Sequence, residues 1–272
     1  MNHAVRLSWA ELNRTGTRDR KQDRIGAAAD GALACFVVAD GAGGHQGGET
    51  AAQLVVDAVL AAFRRAPANS AASLAAYVDA ASSAVAGARA ADPALREMSS
   101  TVALLVVDQV AASASWAHLG DSRIYLLRGG AVHAVSRDHS LARQLIDAGY
   151  APAAEDVRSH PRRHVLLAAV GDENGIAADI SHAGVPLLAG DALLLCSDGL
   201  WQYLDDAAML AALPTSGRSE DWLDGMCAAA EREARRQAGD GRGDLPPRDD
   251  CSAYAIRVHA PAQRQDQPRE AP

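Results

Sequence analysis

Three short segments, far apart in the chain, each set a carboxylate beside small residues at the end of an apolar run. They are FVVADGAGGH at 36–45, LLLCSDGLW at 193–201 and RDDCSAYAI at 248–256. Asp oxygens gathered at strand ends are a natural seat for hard divalent cations. An unpaired buried carboxylate costs too much to be kept for packing alone. A fourth Asp, in LGDSR at 119–123, stands between two strand-like runs. Asp-Gly pairs and acidic doublets are also ordinary turn signals, so each segment alone says little. Four of them at strand edges in one chain point to metal chemistry. In RDRKQD at 18–23, Arg18 could fork onto phosphate through paired N–H groups, and Asp23 could accept from a metal-bound water. The plain alternative for that stretch is a solvated charge run.

The glycine loop DGAGGHQGGE at 40–49 follows a strand pattern and opens a helix, which is also the layout of a phosphate loop. It lacks the Lys-Ser/Thr of a nucleotide P-loop, and Gln46 occupies the third glycine position of the dinucleotide fingerprint. Glycines here let a backbone carbonyl approach a cation without side-chain clash, or they form a simple turn with a capping Asp. His45 in this loop either acts as a general acid through water or orders the loop. His160 and His164, four apart, have the spacing of helical metal ligands, but Pro161 favours a structural reading. His139 in SRDHS reads as a turn residue bonded to backbone. The Arg-Gly-Asp at 242–244 reads as a chance tripeptide in a flexible loop. The four cysteines, Cys35, Cys196, Cys227 and Cys251, form no CxxC pair and read as small buried hydrophobes in a reducing compartment.

The elements that must position these residues follow from periodicity. Residues 4–12 read as an edge strand and 14–26 as a polar loop. Residues 32–40 form a continuous apolar run that stops at Asp40, the pattern of a buried strand. The spacing predicts helices over 49–65 and 70–91, rich in Ala. Runs at 100–108, 113–121, 123–130 and 131–136 succeed one another closely, as antiparallel hairpins do. A short helix over 141–149 stops at Gly149, an irregular stretch covers 150–164, and a buried strand covers 192–198. Helices follow over 205–213 and 220–238, a flexible loop over 238–248, and a last strand over 252–258. The Pro-, Gln- and Arg-rich residues 260–272 read as a disordered tail. Strands of the proposed site come from both ends of the chain, so residues 1–259 read as a single domain of two antiparallel sheets with outer helices.

Composition narrows the classes. The chain has 272 residues, 49% hydrophobic but only 4% aromatic, with a net charge of −8 and a pI near 5.5. A core of Ala, Leu and Val is implied. The acidic balance argues against a nucleic-acid binder and against a surface that adheres to anionic lipid. No signal peptide and no run of membrane-spanning length is read, so the expectation is a cytoplasmic protein with no membrane partner.

In order and spacing, eight segments resemble the bacterial PPM (type 2C) metal-dependent serine/threonine protein phosphatases across roughly residues 12–258. They are GTRDRKQD at 16–23, VADGAGGHQGGE at 38–49, SSTVA at 99–103, GDSRIY at 120–125, SRDHS at 136–140, HPRRH at 160–164, SDGLW at 197–201 and RDDCS at 248–252. The resemblance implies an α+β fold, a four-layer α-β-β-α sandwich of two antiparallel sheets flanked by helices, with a flap over about 141–165. It implies a binuclear Mn(II) or Mg(II) centre. Asp40 would bridge both ions, the Gly41 carbonyl would bind one, and Asp198 and Asp249 the other. Asp121 matches the ligand of a weaker third metal, Arg18 the phosphate-binding arginine, and Asp23 an acidic residue behind the metals. The chain departs from the family pattern at Lys21, Gln22, Ala42, Gln202 and Asp250, and the choice of Asp249 over Asp250 rests on register.

Two close divalent ions lower the pKa of a water and neutralise charge on a phosphoryl group. The expected reaction is therefore in-line hydrolysis of phosphoserine or phosphothreonine in proteins, without a phosphoenzyme. A monomer is expected, acting against a cognate Ser/Thr kinase in a bacterial signalling pathway such as one controlling a secretion apparatus. Two alternatives stand beside it: a non-catalytic PPM-like binding or sensing module, and a small-molecule phosphomonoesterase.

Overall fold

The computed structural model describes residues 4–17, 20–42, 44–150, 152, 156–172, 176–181, 184–214, 217–238 and 248–261, with the main chain alone at 44–46. The tail at 262–272 and the tripeptide at 242–244 lie outside these residues.

Twelve strands and six helices are described in chain order. They are β1 (Arg6–Arg14), β2 (Asp23–Asp30), β3 (Leu33–Ala42), α1 (Gly44–Arg65), α2 (Ala71–Ala91), β4 (Ser99–Ser100), β5 (Val102–Asp108), β6 (Ser113–Leu119), β7 (Arg123–Arg128), β8 (Ala131–Val135), α3 (Leu141–Asp147), β9 (Asp179–Ile180), β10 (Val185–Pro186), β11 (Ala192–Cys196), α4 (Asp198–Trp201), α5 (Asp206–Ala211), α6 (Ser219–Gln237) and β12 (Cys251–His259). One sheet runs β1-β12-β11-β7-β8. The other runs β10-β6-β5-β3-β2, with β4 beside β3 and β9 beside β6. All pairings of named strands are antiparallel.

Strand periodicity of two sorts the side chains into layers. On β3, Ala34, Phe36 and Val38 meet Leu193, Leu195, Tyr254 and Ile256 of the opposite sheet, so the two sheets share one apolar layer. Phe36 sits edge-on to Tyr254, with ring centroids 5.3 Å apart. The alternate residues Cys35, Val37 and Ala39 face α1 and α2. On the far side, Ala253, Ala255 and Leu194 pack beneath Trp201, Trp222 and Met226 of α4 and α6. Helix, sheet, sheet and helix thus stack in four layers, the expected α-β-β-α sandwich.

Several elements differ from their sequence reading. The polar loop expected at 14–26 ends early, because β2 begins at Asp23 and runs through DRIGAAAD. That segment has little β-branched character, and its pairing with β3 decides the outcome over local propensity. Helix α1 starts at Gly44, before the expected Glu49. A Cβ on Gly41 would lie 1.9 Å from the Gly48 carbonyl oxygen, so only glycine admits this first turn of α1 against the end of β3. The strands β6 and β7 do not form a hairpin. They lie in different sheets, and Gly120–Ser122 carries the chain across. Asp198-Gly199, which reads as a turn, starts the one-turn helix α4. The two-residue strands β9 and β10 had no sequence signal.

The two ends of the stretch 141–165 are drawn together. Ser140 bridges to Leu166, and Leu141 N–H donates to the Val165 carbonyl at 2.8 Å. No helix among the described residues is long and apolar enough to cross a membrane.

Candidate metal centre

The four suspected carboxylates converge although they come from both sheets. Asp40 lies near the end of β3 and Asp121 in the crossing from β6 to β7. Asp198 opens α4 just after β11, and Asp249 precedes β12. All four line one cleft of about 550 Å³, together with Gly41, Thr101, Arg163, His164, Gln202 and Tyr203. Thr101 ties two of these segments together. Its Oγ1 accepts from Asp40 N–H at 2.9 Å and shares a hydrogen bond of 2.7 Å with Ser122 Oγ. At Gly120, φ is +101° and a Cβ would press on Thr101 Cγ2 at 2.6 Å, so the crossing needs glycine there.

Asp249 and Asp250 take different roles. Asp249 lines the cleft. Asp250 is buried; its Oδ1 accepts from Gly16 N–H at 2.8 Å and its Oδ2 from the N–H groups of Gln22 and Asp23. It fastens Gly16, Gln22 and Asp23 to the start of β12. Asp23 lies behind the cleft, opposite Asp40 in the β2–β3 register. Its Oδ2 accepts from Ser197 Oγ at 2.7 Å, and its Oδ1 is buried without a partner among the described residues. One oxygen of Asp198, Oδ1, is likewise buried and unpartnered.

The electrostatics follow from this crowding. The Asp40 carboxyl is held well above the usual carboxylate range, by enclosure in protein and then by Asp23, Asp198, Asp121 and Asp249. Burial, followed by Asp198 and Asp138, does the same to Asp121. Burial raises Asp23 to about 7 against the opposing hydrogen bonds of Ser197 and Ser252. Carboxylates this close cannot all ionise without counter-charge. The donor set is all oxygen, with unpartnered buried oxygens, and that fits hard six-coordinate cations such as Mn(II) or Mg(II) rather than zinc.

Two residues the sequence reading left aside belong to the cleft. His164, expected to be structural, has Nδ1 3.7 Å from Asp198 Oδ2. Arg163 forms no ion pair among the described residues, and its Nε is buried without a hydrogen-bond partner. Only the HPRRH motif hinted at them, because their approach depends on how the 141–165 excursion folds back. His160 does play the structural part, accepting from Arg162 N–H at 3.0 Å. Arg18 and the side chain of His45 lie outside the described residues.

A second group, His118, His139 and Asp179, lies close enough to suggest a cation. The hydrogen bonds argue against it. His118 Nε2 lies 2.8 Å from the Arg137 carbonyl, so that nitrogen carries the proton. His139 Nδ1 accepts from Gly120 N–H at 3.3 Å, leaving its proton on Nε2. Both Nε2–H groups face Asp179, at 3.9 and 3.6 Å, and join β9 to the β6 end.

A family profile, Protein phosphatase 2C, matches residues 14–238. The chain is 35% identical over 180 residues to the serine/threonine protein phosphatase PstP of Mycobacterium tuberculosis; that match covers 65% of this chain and 34% of the relative's length. The solved catalytic domain of a PstP in complex with two manganese ions superposes with a TM-score of 0.73 at 27% identity, covering 94% of this chain and 99% of that one. PppA, described as a key regulatory component of T6SS in Pseudomonas aeruginosa, superposes with a TM-score of 0.68 at 30% identity, covering 94% and 100%.

Proposed function

The chain belongs to the protein phosphatase 2C family, and on that premise we propose that its cleft hydrolyses phosphoserine and phosphothreonine in proteins. The enzyme is metal-dependent, with Mn(II) or Mg(II) held by Asp40, the Gly41 carbonyl, Asp198 and Asp249, and a third ion at Asp121. The observation that carries this reading is the meeting of four carboxylates from both sheets in one cleft, one of them with a buried, unpartnered oxygen. Bound there, such ions would supply a more acidic water and neutralise phosphoryl charge.

The chain's own residues bind and orient. Arg163, with no counter-ion among the described residues, offers its guanidinium to the phosphoryl oxygens, and Arg18 joins it as the motif order implies. Asp23, held by Ser197, orients water from behind Asp40. His164, beside Asp198, and His45 are the groups available to pass a proton to the leaving oxygen. Residues 1–259 act as one catalytic unit and 141–165 as its flap. The protein works as a cytoplasmic monomer against a cognate kinase, and its likeness to PppA supports a setting in the control of a secretion apparatus.

The test is turnover of a phosphothreonine peptide with Mn(II) by the wild type and by Asp40→Asn. A loss of at least about a hundredfold is expected from removing a carboxylate that would hold the metal. Equal residual activity in both proteins defeats the enzymatic reading and favours a binding module. Small phosphate esters turned over far better than the peptide would favour the small-molecule alternative. In cells, the Asp40→Asn strain should accumulate phosphoproteins, and an unchanged phosphoproteome would remove the proposed pathway.

A further inference from the structure

We propose that Trp201 is a positioning residue for Asp121, so that the single turn α4 links two sets of metal ligands. The proposal rests on reading Asp121 as a ligand. Trp201 is 1% exposed, and its Nε1–H donates to the Asp121 backbone carbonyl at 2.9 Å. The indole is itself fixed. The Arg123 guanidinium covers its ring, with Cζ 3.5 Å from the centroid. That guanidinium is locked in turn by a two-pronged contact with Asp138, Nε to Oδ1 at 2.7 Å and Nη2 to Oδ2 at 2.6 Å, and by Nη1 on Tyr125 OH at 3.0 Å. Buried cation–ring and bidentate contacts are among the stiffer side-chain arrangements.

The neighbours of Asp121 are clamped as well. Gly120 exchanges hydrogen bonds with His139, whose N–H donates to the Gly120 carbonyl at 2.9 Å. Ser122 is bonded to Thr101, which holds Asp40. The Asp121 carboxylate is thus left to face the cleft on a backbone held at its carbonyl and on both sides.

Helix α4 makes this more than local support. Asp198 is its first residue and Trp201 its last, and Gln202 N–H donates to the Asp198 carbonyl at 3.0 Å. A shift of Asp198 therefore carries the indole with it, and the indole carries the Asp121 carbonyl. Occupancy of the tight sites orders the weak one through a rigid turn.

The experiment is Mn(II) binding to the full chain, by calorimetry and by the electron paramagnetic resonance of free Mn(II). The proteins compared are wild type, Asp121→Ala, Trp201→Phe and the control Trp222→Phe. Trp222 is also fully buried in the same apolar cluster, and its Nε1–H donates to the Met209 carbonyl at 3.1 Å. The control therefore removes equivalent packing and an equivalent hydrogen bond away from the Asp121 loop. Trp201→Phe keeps a ring under Arg123 and should weaken only the weakest Mn(II) site, by about three- to tenfold, the worth of one buried hydrogen bond. Trp222→Phe should bind as wild type. Wild-type binding by Asp121→Ala overturns the ligand reading. Loss of a site in Asp121→Ala with Trp201→Phe matching Trp222→Phe overturns the positioning role. Should Trp201→Phe fail to fold, Arg123→Lys, which breaks the fork on Asp138, must show the same selective weakening, and wild-type binding by it overturns the proposal.

Discussion

At the scale of residues, the adjacent carboxylates Asp249 and Asp250 differ by one position in surroundings: the first lines the cleft, the second is spent on backbone N–H groups. Asp250 accepts three backbone N–H groups and cannot face a cation without orphaning them. In Asp250→Asn an amide NH₂ would confront those donors, and a loss of about 1–3 kcal/mol is expected with Mn(II) affinity little changed. Asp249→Asn should do the reverse, abolishing one Mn(II) site while leaving the metal-free protein at least as stable. Denaturant melts and Mn(II) titrations of the two variants check this, and identical behaviour would contradict the division. The four carboxylates of the cleft were legible in sequence because each interrupts or borders an apolar run, where an unpaired charge has no packing use. Arg163 and His164 were not, since nothing in their local pattern says which way a long excursion returns.

At the scale of elements, sequence read best where the core is two-sided. β3, β5, β11 and β12 are nearly continuous apolar runs and lie where expected. It failed where tertiary contact overrules local preference: at Ala-rich β2, at the glycine start of α1, at one-turn α4, and at the crossing from β6 to β7. Each of these failures lies at the cleft or packs against an element that forms it. The excursion over 141–165 is tethered through Asp147 at the end of α3. Asp147 accepts from Arg143 Nε at 3.0 Å and from Arg137 Nε at 2.9 Å. Its hydrogen bonds, from Arg143 first and then Arg137, lower its carboxyl from 3.8 to about 2. A folded-state value below the unfolded one means the tether stabilises above pH 3.8 and is lost as the pH falls towards 2. Both arginines reach solvent, so screening holds the effect to under about 1 kcal/mol per pair. Asp147→Asn should flatten the acid limb of stability in that window, measured by denaturant melts at a series of pH values. An unaltered limb would show that the tether carries no stability.

At the scale of the whole molecule, the cleft draws Asp40 from one sheet and Asp198 and Asp249 from the other, while the apolar layer of Phe36 and Tyr254 holds the sheets together. On the proposed reading, cations bound in the cleft would offset the repulsion of these carboxylates and staple the seam. Mn(II) at about a hundred times its dissociation constant should stabilise by about 2.7 kcal/mol, or raise Tm by roughly 5–10 °C. Asp40→Asn should melt higher than the metal-free wild type and gain much less from Mn(II). A scanning melt with and without chelator measures both, and an equal Mn(II) increment in the variant would contradict the staple. The sheet order carries a consequence for synthesis. β12 follows every other described element along the chain, yet it sits inside its sheet between β1 and β11. A nascent chain that has emerged only to Arg248 has an open slot where that strand belongs and lacks Asp249. On the proposed reading, the metal site is complete only once β12 has been made and has paired between β1 and β11.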